Sequence, residues 1–133
     1  KAMLKKIYLT FGVVLILTSC ATQQGTQTTF DLDAIQTEKT IQLKAGEQIK
    51  LEVTTNPTTG YDWQTTTSKD CVVTLLNKEN IPNLSEEMFG ASIRNSYTIK
   101  AEQAGKCSIQ FEYKRSWETE PANNTKRIHF IVK

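Results

Sequence analysis

Few side chains here could do covalent or acid–base chemistry: three cysteines, Cys20, Cys71 and Cys107, and one histidine, His129. No two cysteines stand in a CxxC spacing, and a single histidine leaves a zinc site short of ligands. No metal and no cofactor is expected. Counting alone leaves a Cys–His dyad open, but Cys71 and Cys107 read as inward-facing strand residues, a poor place for a nucleophile. The chemistry that the remaining residues suit is recognition. Two short peptides carry it: Asn56-Pro57-Thr58-Thr59-Gly60-Tyr61 and Arg115-Ser116-Trp117.

The first peptide is a rigid, uncharged turn. Asn and Pro favour turn initiation, and a residue before proline is pushed to extended geometry. Gly60 can take positive φ without steric cost. Such a loop needs no purpose beyond joining two strands. Yet its stiffness means little entropy is lost on binding, and Thr58 and Thr59 present two small hydroxyls that can enter a narrow cleft. The second peptide joins the two residue types most enriched at binding hot spots, Trp and Arg. Strand alternation through Phe111 and Tyr113 puts Arg115 and Trp117 on the core parity, so a tryptophan capping the core is the alternative to one that binds.

These peptides must be placed by the rest of the chain. Lys5 and Lys6 precede an apolar run, Ile7 to Leu17, and then Thr18, Ser19 and Cys20. A basic start, a short apolar stretch and small residues form a secretory signal, too short to span a bilayer as a helix. Leu17-Thr18-Ser19-Cys20 also looks like a bacterial lipobox, with Cys20 lipidated, Met3 the natural start and Lys1-Ala2 a tag remnant. Residues 1–19 are thus expected to be removed, taking away Lys1, Lys5 and Lys6 and no acid, so the formal charge falls from +2 to −1. That disfavours nucleic acid, which is bound through basic patches. Residues 20–37 read as lipidated cysteine plus a polar, flexible tether. The expected location is a bacterial cell envelope, lipid-anchored and either periplasmic or surface-exposed, with the membrane as one partner.

From 38 to 133 the hydrophobic period is two. Ile41 and Leu43; Ile49, Leu51 and Val53; Tyr61, Trp63 and Thr65; Cys71, Val73 and Leu75; Ile93, Tyr97 and Ile99; Cys107, Ile109, Phe111 and Tyr113; and Ile128, Phe130 and Val132 mark seven strands. Turn signals separate them, and residues 77–91 read as irregular. The pattern is an all-β, immunoglobulin-like β-sandwich of one domain. In that topology the loop between the second and third strands and the loop between the sixth and seventh emerge at one end, joined there by the loop around 80–92. No catalytic set converges at that end, so no enzyme is expected. Cys71 and Cys107 share the apolar parity of their strands. They form either a structural disulfide, permitted by export, or two buried thiols.

The two peptides together resemble the chagasin family of inhibitors of papain-like cysteine proteases. Asn56–Tyr61 matches that family's first loop in full, and Arg115 and Trp117 match its third, with Ser116 where proline is common. The resemblance covers about residues 38–133. The middle loop departs: the family usually carries G-x-G-G, whereas this chain reads Gly90-Ala91-Ser92-Ile93. The resemblance implies a monomeric, reversible, tight-binding inhibitor that fills a papain-like active-site cleft with loops 56–61, 84–92 and 115–119. Its contact residues would be Asn56, Pro57, Thr58, Thr59, Gly60, Tyr61, Gly90, Ala91, Arg115 and Trp117. Two other readings use the same sandwich: an envelope adhesion or scaffold lipoprotein with loops suited to another protein, and an envelope enzyme or ligand-binding module.

Overall fold

The computed structural model describes residues 27–82 and 92–133. Cys20 and the signal, and Gly90 and Ala91 of the middle loop, lie outside the described residues. Eight strands form two four-stranded sheets. In chain order they are β1 (Thr28–Asp31), β2 (Glu38–Leu43), β3 (Gln48–Thr55), β4 (Tyr61–Thr67), β5 (Val73–Pro82), β6 (Ile93–Ala101), β7 (Gly105–Arg115) and β8 (Asn124–Val132). One sheet has the order β1-β3-β6-β5, the other β2-β8-β7-β4.

The alternating residues meet between the sheets. Ile49, Leu51 and Val53 of β3 and Tyr97 and Ile99 of β6 pack against Ile109 and Phe111 of β7 and Ile128 and Phe130 of β8, all fully buried. Tyr97 meets Phe111 edge-on across the gap, with ring centroids 5.3 Å apart. A disulfide joins Cys71, just before β5, to Cys107 in β7 (Cα–Cα 5.0 Å), tying one sheet to the other. By the loop-entropy estimate a bridge spanning 36 residues contributes about 4 kcal/mol.

Three expectations are corrected. First, the polar segment assigned to the tether is partly structured. β1 pairs in parallel with β3, Thr28 beside Ile49 through Asp31 beside Glu52. A 3-10 turn at Leu32–Ala34 follows, and Leu32 and Ile35 are buried. The Lys126 ammonium, itself buried, donates to the Leu32 carbonyl at 2.5 Å and the Ile35 carbonyl at 2.6 Å. Thr28–Asp31 lack an apolar alternation because backbone pairing, not side-chain burial, holds them. Second, β5 runs on to Pro82 instead of ending near Leu75. It is an edge strand, exposed from Thr74 onward, so no alternation marks it. A bulge between Leu75 and Asn77 shifts its register, and Leu75 is 37 % exposed. Third, the parity that put Trp117 inside lapses after β7 ends at Arg115: Trp117 is 69 % exposed.

The connections gather at two poles. Residues 56–60, the ends of the β5–β6 connection at Pro82 and Ile93, and residues 116–123 lie at one. The turns at 44–47, 68–72 and 102–104 lie at the other, with the start of β1.

Candidate functional site

The loop 56–60 is held by its own atoms. Asn56 is extended (φ −124°, ψ 93°) as the residue before a proline must be. Its carboxamide oxygen accepts from Thr58 N at 3.2 Å and from the Thr58 hydroxyl at 2.6 Å. The Thr59 hydroxyl donates to the Asn56 carbonyl at 2.8 Å. Gly60 N donates to the Pro57 carbonyl at 3.1 Å, and Gly60 closes the turn in the left-handed region at φ +77°. Pro57–Thr59 thus form a single 3-10 turn, exposed throughout. Both threonine hydroxyl protons point inward, so what the turn offers outward is oxygen lone pairs, methyl groups and no charge.

The second loop leans on the first. Arg115 pairs with Tyr61 across β4 and β7. Its Nε donates to the Thr59 carbonyl at 3.0 Å, and its Nη1 bonds Glu118 at 2.9 Å. The hydrogen bond to Glu118 raises the guanidinium pKa further above its ordinary value. The guanidinium lies over the Tyr61 ring at 4.5 Å and is 6.0 Å from the Trp117 ring. Trp117 reaches back over Gly60 so closely that a Cβ built on the glycine would stand 2.6 Å from the indole Cη2. Gly60 is therefore required twice, for its positive φ and for the space that Trp117 fills. Tyr61 stacks on Tyr113 (5.3 Å), and Tyr113 lies tilted against buried Trp63 (5.1 Å), so an aromatic column runs from this surface into the core.

Below the loop a polar network fixes the stems. The Thr55 hydroxyl donates to the Tyr61 carbonyl at 3.2 Å, bridging the two ends of the loop. Asp62 accepts from Asn95 Nδ2 (2.7 Å) and Trp63 N (2.8 Å) and pairs with Lys78 Nζ (2.5 Å). Trp63 Nε1 donates to the Thr54 carbonyl, and Tyr97 Oη to the Trp63 carbonyl. Burial, with the Asp62 charge nearby, raises the Tyr97 phenol well above its ordinary pKa. A cavity of about 130 Å³ lies between the turn and this network, lined by Pro57, Gly60, Asp62 and Asn95 among others. Sequence reasoning missed Asp62, Lys78, Asn95 and Glu118. Asp62, Lys78 and Asn95 are joined across different strands, and Glu118 pairs with Arg115 from just beyond the second matching peptide.

Of the expected contact residues, the structure brings Asn56, Pro57, Thr58, Thr59, Gly60, Tyr61, Arg115 and Trp117 into one continuous surface. Elsewhere, Cys71 and Cys107 are bonded to each other, so neither offers a thiol. His129 Nε2 faces Glu38 at 3.6 Å on the outer side of the other sheet. Among the described residues no group of His, Cys, Asp and Glu is placed to hold a metal ion.

The sequence profile of the chagasin family peptidase inhibitors, I42, matches residues 42–132. The chain belongs to the chagasin family of peptidase inhibitors. No curated protein matches the sequence. Among solved structures, the chain is similar to the cysteine protease inhibitor EhICP2 of Entamoeba histolytica (TM-score 0.67, 21 % identity, 80 % of this chain and 95 % of that one). It is similar also to amebosin (TM-score 0.65, 24 % identity, 82 % and 100 %). A third likeness is to PbICP-C in its complex with falcipain-2 (TM-score 0.57, 22 % identity, 80 % and 99 %). At these identities the likenesses establish the shared fold.

Proposed function

We propose that this chagasin-family chain is a reversible, tight-binding inhibitor of papain-like cysteine proteases that works by occlusion. The observation that carries the reading is the joining of the two matching loops, through the Arg115–Thr59 hydrogen bond and the seat of Trp117 on Gly60. A structure solved with its protease, PbICP-C with falcipain-2, has the same fold. In a papain-like enzyme the catalytic cysteine is a thiolate beside a cationic histidine. Thr58 and Thr59 would enter above that pair. Their hydroxyl protons are already committed within the turn, so their oxygens face the cleft as acceptors, suited to an imidazolium donor. The closed 3-10 turn holds its peptide bonds inside a hydrogen-bonded ring, out of line for attack, so the inhibitor stays uncleaved. Trp117 would pack beside the cleft, with Arg115 bracing it, and residues 84–92 would flank the other side. An interface of standard size, about 1,600 Å² in total, is expected.

Cys20 is proposed to carry a lipid that holds the monomeric domain on a bacterial envelope membrane. Whether the protease is met at its active-site cleft is tested by binding to papain before and after a covalent peptide inhibitor fills that cleft. Binding should vanish once the cleft is filled. Equal binding to both forms would place the contact elsewhere on the enzyme and overturn occlusion.

A further inference from the structure

Across the first sheet, Thr28, Ile49, Ile99 and Leu75 stand in one row. The chain therefore enters the domain at the pole opposite the Thr58 turn. β7 spans the sandwich from Gly105 to Arg115, eleven residues, or roughly 35 Å at strand rise. Eight residue steps separate Cys20 from Thr28, a reach of at most about 30 Å when fully extended. A lipid on Cys20 thus keeps this pole near the bilayer.

The pole is suited to that position. Its turns and strand ends carry Lys44, Lys69, Lys100, Lys106 and Lys133 against Glu47, Asp70 and Glu102. Only Lys100 of the five is ion-paired, with Glu102; the others are exposed and have no ion-pair partner among the described residues. The basic residues beside the recognition loops differ: Lys78, Arg94, Lys114 and Arg115 are each ion-paired. Two of the exposed large apolar side chains, Leu75 (37 %) and Leu76 (50 %), lie level with Thr28 at the edge of the sheet. Unpaired lysines and exposed leucines around the entry of an acyl-anchored segment supply electrostatic and apolar contacts that can orient the domain on the bilayer surface.

We infer that this pole docks on an anionic lipid bilayer and holds the Thr58 and Trp117 loops outward, about 35 Å from the surface. The inference rests on the lipid anchor proposed above and not on protease inhibition. Steering by free lysines makes the docking sensitive to salt, whereas the lipid attachment is not.

The test uses residues 20–133 lipidated at Cys20 on phosphatidylcholine–phosphatidylglycerol vesicles containing brominated lipid, with tryptophan emission as readout. The native tryptophans, Trp63 and Trp117, belong to the outward half and should keep their emission. In Ala104→Trp, which adds a tryptophan to an exposed turn of the docking pole, the added emission should be quenched. Replacing Lys44, Lys69, Lys106 and Lys133 together by Gln should largely relieve that quenching while the protein stays on the vesicles. Quenching of the native tryptophans, quenching of Ala104→Trp that ignores the four lysines, or failure to attach to vesicles would each overturn the inference. If Ala104→Trp is quenched as expected but papain is not inhibited in solution, the orientation stands and the inhibitor reading falls.

Discussion

The loop at 56–60 carries its own bracing, whereas the loop after Arg115 takes its position from its neighbour. In the first, the turn closes on hydrogen bonds of its own between Asn56 and Gly60. In the second, Trp117 is exposed, and what places it is the Arg115 bond to Thr59 and the bare surface of Gly60. A self-braced turn can be matched to a cleft as a rigid body. A tryptophan seated on that turn adds contact area but depends on it. Damage to the first loop should therefore reach the second, while damage to the second should leave the first intact.

The largest expected effect is that of Thr58→Arg, which puts a bulky charge at the tip. Papain inhibition should fall by roughly a thousandfold or more, about 4 kcal/mol, with an unchanged circular dichroism spectrum and only a small drop in melting temperature from loss of the exposed Thr58–Asn56 hydrogen bond. Inhibition that persists would remove the wedge from the account. Next comes Trp117→Ala, which should weaken inhibition by about 2 kcal/mol or more, the hot-spot threshold. Being exposed, Trp117 should contribute little to thermal stability; a loss under about 0.5 kcal/mol in the inhibition constant would reject the hot-spot role.

Gly60→Ala sharpens the comparison. It strains a left-handed residue, at about 1–2 kcal/mol, and pushes a methyl group into Trp117. Combined with Trp117→Ala, its effect on inhibition should be less than additive, because both changes remove the same seated ring. Full additivity would mean the two loops act independently. Asn56→Ala removes the carboxamide that caps the turn and should cost about 1 kcal/mol of stability by chemical denaturation, with inhibition weakened less in the Trp117→Ala background than in the native chain, because the turn also seats the ring. The smallest change should come from Glu118→Gln, which keeps the hydrogen-bonding shape beside Arg115 and removes the charge. A modest loss of inhibition that disappears at high salt is expected.

The self-braced loop is also the legible one. Asn56, Pro57 and Gly60 announce a turn locally, each by its own backbone preference, and the turn found is the one they specify. Ile49 to Val53 and Cys107 to Tyr113 were equally readable, because burying one face of a strand imposes an alternation. What escaped depends on partners far away in the chain. Thr28–Asp31 became a strand by pairing with residues 49–52. β5 extended to Pro82 along β6 with hardly any side chain buried. Lys126, a charged residue at a core position, is explained only by the carbonyls of Leu32 and Ile35, more than ninety residues earlier. The inward parity of Trp117 fails because the β7 alternation stops with its pairing at Arg115, which leaves the ring on the surface. Within the site, the turn itself was visible, but the Arg115 brace and the Asp62–Asn95–Lys78 support beneath it arise from strand pairing alone.

Steady-state inhibition of papain by residues 21–133, over a range of inhibitor and substrate concentrations, tests the central claim most directly. The account predicts tight, reversible inhibition, competitive with substrate, by an inhibitor recovered uncut. Absence of inhibition at micromolar concentration, or inhibition unaffected by substrate, would contradict occlusion of the papain-like cleft by the Thr58 and Trp117 loops.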